Sequence, residues 1–194
     1  MSVLSRAVLT AAPLLALALL AGCTPVDDGT GSGPTDQPTA PPTTEPTGEP
    51  TDQPAGTPVD IACDQLVTPD AMYQFNPNFG SIDDFAPEPG TAAASALTYD
   101  GVACRWQNET TGQSIDVSVA QLDEDTLTAL KNAAFAESEM VPTYGEEAYF
   151  GVADGVGTAE VFQGPYWIVA SSPAFFEPGD ATEIVQAAIA ALGA

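Results

Sequence analysis

From Asp27 to Pro58 the chain contains no apolar residue larger than Ala, so nothing in that stretch buries enough surface to offset the entropy of ordering it. Apart from Val26, the segment Thr24 to Pro58 consists of Thr, Pro, Gly, Asp, Glu, Gln, one Ser and a little Ala. Its one internal duplication, Pro34-Thr35-Asp36-Gln37-Pro38 returning as Pro50-Thr51-Asp52-Gln53-Pro54, is too short to build a solenoid. The prolines favour polyproline II and the acids repel one another, which predicts a semi-extended tether with a contour on the order of 100 Å. Any core must therefore come from the other parts of the chain, and three regions follow: 1–22, 23–58 and 59–194.

Val59 to Ala194 is 136 residues (194 − 58), the size of one domain with a proper core. Charge narrows what that domain can bind. With 3 Lys+Arg against 27 Asp+Glu and no His, the formal charge is −24, which points to cationic, neutral or metallic partners. Nucleic acid is excluded, because its binding needs basic side chains that displace phosphate counterions. Zero His and three Cys also remove the Ser-His-Asp triad, the Cys-His pair and His-rich metal sites. The expectation is a non-enzyme with no catalytic residue, no cofactor and no metal centre.

Met1 to Thr10 carries Arg6 and no acid, and Ala11 through Ala21 is apolar, with Leu14, Leu15, Leu17, Leu19 and Leu20. This is the pattern of a secretory leader. Pro13 and a run shorter than the ~20 residues of a spanning helix speak against a permanent anchor. The run ends in Leu20-Ala21-Gly22-Cys23, which resembles the lipobox of bacterial lipoproteins. The resemblance implies that Cys23 carries a diacylglyceryl group and palmitate-class acyl chains, becomes the new N-terminus, and holds the chain on the outer face of the cell membrane, facing the cell wall. Two acyl chains suffice for stable anchoring. Without residues 1–22 the chain keeps 27 acids against two bases, Arg105 and Lys131, so anionic headgroups repel the domain and hold it off the bilayer.

With Cys23 assigned to lipid, Cys63 and Cys104 remain, and in an exported protein two such cysteines read as one disulfide. Closing that loop contributes roughly 4 kcal/mol by the chain-entropy model.

Within the domain, Thr68-Pro69-Asp70 signals a short helix by cap, first-turn proline and first-turn acid. Asn76 to Gly90 reads as a long loop pinned by Phe79, Ile82 and Phe85, and Ala92 to Leu97 fits helix or strand. Val102–Gln107 and Ser114–Gln121 alternate as a hairpin, with Ile115, Val117 and Val119 on one face and Asp116, Ser118 and Ala120 on the other. Asp123 caps a helix to about Glu137, patterned by Leu127, Leu130, Ala134 and Phe135. Three strands follow at 147–152, 157–163 and 166–171, and Asp180 opens a last helix ending at Gly193. The expected fold is α+β: a single antiparallel sheet of about five strands, covered by two to three helices on at least one face, with one disulfide.

Cys63, Leu66, Thr68-Pro69 and Cys104-Arg105-Trp106, behind the lipobox and tether, resemble a group of small actinobacterial envelope lipoproteins that form a domain of unknown function. Gly145-Glu146-Glu147-Ala148-Tyr149 and Tyr166-Trp167 look similar too. The resemblance implies an open α+β sandwich and an envelope location, and no activity.

Candidate sites are few. Arg105 either clamps a carboxylate or phosphate, or pairs with a neighbouring acid and stacks on an aromatic, as the abundance of acids favours. Asp83-Asp84, Asp123-Glu124-Asp125 and Glu146-Glu147 are acidic clusters without a calcium-loop pattern. Adjacent strand residues point to opposite faces, so Glu146 and Glu147 make a poor hydrolytic pair. Arg105, Trp106, Trp167, Phe175 and Phe176 are the candidate binding residues, with Phe175-Phe176, between Pro173 and Pro178, expected as an exposed contact. The leading reading is a monomeric, membrane-anchored binding domain for an envelope protein or a small ligand. The alternative is a lipid or glycolipid carrier with an apolar cavity.

Overall fold

The computed structural model describes residues 56–193; the expected leader 1–22, the expected lipidation site Cys23 and the expected tether 23–58 as far as residue 55 lie outside them. The strands are β1 (Gly56–Thr57), β2 (Phe79–Ile82), β3 (Val102–Asn108), β4 (Ser114–Leu122), β5 (Glu139–Met140), β6 (Glu147–Ala153), β7 (Val156–Gln163) and β8 (Tyr166–Ser172). The helices are α1 (Cys63–Leu66), α2 (Pro69–Phe75), α3 (Ala92–Thr98), α4 (Glu124–Glu137) and α5 (Pro178–Leu192). All strands form one antiparallel sheet in the order β2-β3-β4-β8-β7-β6-β5, with β1 added to β4 beyond the end of β3. From central β4 the chain crosses through α4 to the far edge and then returns strand by strand, β5 to β8, until β8 lies beside β4.

Among the described residues the fold is the expected α+β class, with eight strands instead of about five and five helices instead of two to three. The five expected strands are the five longest. The additions β1 and β5 have two residues each, too few to alternate, and in the four-residue β2 the apolar Phe79 and Ile82 stand three apart. Hence the segment read as a loop, Asn76 to Gly90, holds β2, and Ala92–Thr98 resolves as helix because Thr91 caps it, its hydroxyl accepting from the Ala94 N–H at 3.1 Å.

Helices cover both faces. Ile115, Val117, Val119, Ile168 and Val161 meet Ile184, Val185 and Ala188 of α5 together with Leu66 and Met72 of α1 and α2. On the opposite face Ala120, Leu122, Phe162, Trp167 and Val169 are covered by Ala96 of α3 and Leu127 and Ala134 of α4. The side of β4 that alternation makes polar is therefore largely buried as well, Ser118 and Ala120 included. The cover by α3 is close because its residues are small and because Gly101 lacks a Cβ: one added there would run into the Val119 and Ala96 carbonyls.

Two boundary details correct the sequence reading. The last helix begins at Pro178, not Asp180. Asp180 is its third residue, and its carboxylate accepts from the N–H groups of Phe176 at 2.8 Å and Glu177 at 3.1 Å. In α4, Phe135 is 68% exposed, since the buried stripe runs through Leu127 and Ala134. Gly193 ends α5 in the left-handed conformation at φ 64°. Buried Tyr144 donates its hydroxyl to the Pro178 carbonyl and fixes the start of α5; burial, with Asp180 nearby, pushes its pKa up to about 12.

Cys63 and Cys104 form a disulfide with a Cα–Cα separation of 5.5 Å, joining α1 to β3.

Candidate functional site

Arg105 and Asp116 are direct cross-strand partners on β3 and β4. The Arg105 Nε and Nη2 groups donate to the two Asp116 carboxylate oxygens at 2.6 and 2.7 Å, and the guanidinium carbon stands 4.2 Å from the Phe85 ring centroid. The hydrogen bonds to Asp116 raise the Arg105 pKa against the opposing effect of burial. A guanidinium engaged twice by one carboxylate and covered by a ring holds a loop over the sheet. Trp106 points to the other face and is buried beneath α2.

Trp167 is also buried, edge-to-face with Tyr99 at 6.3 Å, and its indole N–H donates to Glu160 at 2.6 Å. Nearby, Lys131 of α4 lies 3.0 Å from Glu147, and the Tyr149 hydroxyl donates to the other Glu147 oxygen at 2.8 Å. Burial works against the charged form of Glu147, but Lys131 and Tyr149 outweigh it and lower its pKa. Glu146 turns away to accept from the Gly164 N–H at 3.1 Å, so the two glutamates do not converge. Among the described residues no group of three or more His, Cys, Asp or Glu side chains is gathered as a metal site.

Among the described residues the two cations pair elsewhere, Arg105 with Asp116 and Lys131 with Glu147, and none pairs with Glu160. Burial raises its pKa, Trp167 partly opposes this, and Glu137 adds to the rise. Its protonated form is therefore favoured more in the folded than in the unfolded chain, so Glu160 stabilises the fold most below the ordinary carboxylate range and less as pH rises through its raised value. Glu160→Gln keeps an oxygen for the Trp167 indole and removes the charge. We expect the variant to melt above the parent at neutral pH, with the gap closing as pH falls toward about 4. Paired thermal melts from about pH 4 to pH 8 check this, and a gap that does not change with pH would contradict it.

Of the exposed apolar side chains, Phe176 and Val152 meet at one cleft, at the corner where α4 ends and β5 begins. Phe175 is fully buried, edge-to-face with Phe75 at 6.3 Å, whereas Phe176 is 74% exposed. The expected Phe175-Phe176 contact thus reduces to Phe176. It lines an open cleft of about 550 Å³ with Phe150, Val152 and Pro178, and Glu137, Glu139 and Glu177 stand around it. Val152 is 53% exposed, and Met140, on β5 at the same corner, is 60% exposed. Met140 lies on the two-residue edge strand β5, and Val152 lies beyond the stretch of β6 that β5 pairs. Arg105, Trp106 and Trp167 lie outside this cleft.

Comparison of the chain with family models, curated proteins and solved structures finds no match.

Proposed function

We propose that the chain is a membrane-anchored, extracytoplasmic lipoprotein whose domain is a non-enzymatic binding module, held through lipid on Cys23 at the outer face of the membrane and presented to the cell wall on the tether that runs from Cys23 to the start of β1 at Gly56. The lipobox Leu20-Ala21-Gly22-Cys23 supports the anchor and the Cys63–Cys104 disulfide supports an oxidising compartment. The resemblance to actinobacterial envelope lipoproteins is part of this reading. The observation that carries the binding role is the placement of open space: both faces of the sheet pack against helices, and the roomy cleft lies at the surface beside the exposed Phe176. A lipid carrier needs several hundred Å³ of enclosed apolar volume, and the apolar notch between α2 and β2 has about 160 Å³.

Native mass spectrometry of the full chain, exported from a host that makes envelope lipids, tests both parts. The expected mass is one polypeptide with one disulfide and a covalent diacylglyceryl adduct, and Cys23→Ser is expected to lose the adduct and leave the membrane fraction. An additional mass that organic solvent strips away would replace the binding module with the carrier. A membrane-bound Cys23→Ser chain would remove the lipid anchor.

A further inference from the structure

We infer that the cleft between the C-terminal end of α4 and β6 is the docking site for a positively charged, apolar segment of a partner protein. This deepens the binding-module reading and rests on it.

Phe176 and Val152 supply the exposed apolar surface of the cleft. Phe176 is presented by a fixed backbone, since its N–H donates to the Asp180 carboxylate at 2.8 Å and the residue before it is sealed in the core. An aromatic side chain that is 74% exposed yet held from both sides loses little freedom on binding, which is the character of an interface anchor. The cleft volume of about 550 Å³ falls in the range of binding clefts.

Glu137, Glu139 and Glu177 stand around that apolar floor. The carbonyl end of α4 adds negative potential in the same place, and its last turn has no basic residue. The acid continues around the corner at Gly151 and Val152 into a second opening of about 300 Å³, lined by Glu137, Thr158 and Glu160. Neither basic side chain of the domain relieves it: Lys131 is paired with Glu147 and Arg105 with Asp116. The complement must come from another molecule, as Lys or Arg that meets the carboxylates and the Phe176 face while apolar neighbours fill the floor. A second copy of this chain brings the same negative charge, and anionic lipid is repelled for the same reason.

A phage-displayed random peptide library, panned on the full chain in mild detergent, tests this. Enriched peptides are expected to set Lys or Arg beside aromatic or aliphatic residues. The Kd of a synthetic peptide of the enriched sequence should weaken about tenfold or more with Phe176→Ala, and again with Glu139→Lys/Glu177→Lys. Tyr73→Ala, an exposed residue on α2 that is not among the lining residues of the cleft, should change it less than about twofold. Thermal melts that match the parent confirm that the exposed-site variants fold. Enrichment of acidic or uncharged peptides, no enrichment, dimerisation abolished by the cleft variants, or affinity that both leave unchanged would each overturn the proposal. Peptides that respond to Tyr73→Ala and not to Phe176→Ala would remove the cleft and leave the binding module standing, whereas solvent-strippable lipid on the native chain removes the module itself.

Discussion

Phe175→Ala is expected to lower the unfolding free energy by about 3–5 kcal/mol, and Phe176→Ala by less than about 0.5 kcal/mol. The two residues are neighbours of the same type, so propensity and local composition cannot separate them. Burial does: Phe175 is fully inside and Phe176 is 74% exposed. The Phe175 ring stacks edge-to-face on Phe75, and its backbone and Cβ approach Gly157 so closely that a side chain there would collide with them. Truncating Phe175 therefore forfeits transfer free energy and leaves a cavity between α2 and the sheet that the surrounding helices can only partly close. For a domain of this size the loss corresponds to a fall in Tm of roughly 10–20 °C, against a shift of about 2 °C or less for Phe176→Ala. Parallel thermal and urea melts decide it: equal losses at the two positions, or a loss below about 1 kcal/mol at Phe175, would contradict the packing described.

This pair also marks where the sequence stops being informative. The direction of each Phe is set by the turn between β8 and α5, where the Phe175 N–H bonds the Ser172 carbonyl at 3.2 Å and Asp180 holds the Phe176 N–H. Those contacts join residues whose spacing has no period, so alternation is silent about them. Where a period exists the reading holds: Ile115, Val117 and Val119 form one face of β4, and Ile184, Val185 and Ala188 form the inner stripe of α5. The alternation leaves open whether the face of Ser118 and Ala120 is covered, and a second layer of helices buries it. The reading fails at Phe135 because the stripe of α4 is narrower than its apolar content. Of the candidate binding residues, Arg105, Trp106 and Trp167 have core or loop-holding partners, and Phe176 is the one that reaches the acidic cleft. The exposure of Val152 and Met140 goes with their places near the edge of the assembled sheet, which no local pattern encodes.

Removing the disulfide with Cys63→Ala/Cys104→Ala is expected to lower stability by about 4 kcal/mol, a large share of the 5–15 kcal/mol typical of a domain. The bridge links residues 41 apart in sequence, so most of its effect lies in the unfolded chain, which it keeps from expanding. Folded-state geometry adds a local consequence. The helix that carries Cys63 has four residues, its start held by the Ala62 N–H donating to the Gln65 side chain at 3.2 Å, and it docks through Leu66, Val67 and the link to β3. Without the bridge, residues 59–67 should exchange their amide hydrogens faster than the central strands β4 and β8. The denaturant slope m should also rise, since an unlinked chain exposes more surface on unfolding. The Ala pair is the informative choice because Ser at position 104 would bury a hydroxyl among Val117 and its apolar neighbours and add a penalty unrelated to the link. Urea unfolding of parent and variant under oxidising conditions, with the parent repeated in excess reductant, separates the two effects. The reduced parent and the Ala pair should lose similar stability and show similar m. An unchanged midpoint on reduction would mean that the helix and β3 are held by packing alone, and the disulfide would then lose its place in the argument for an exported, oxidised domain.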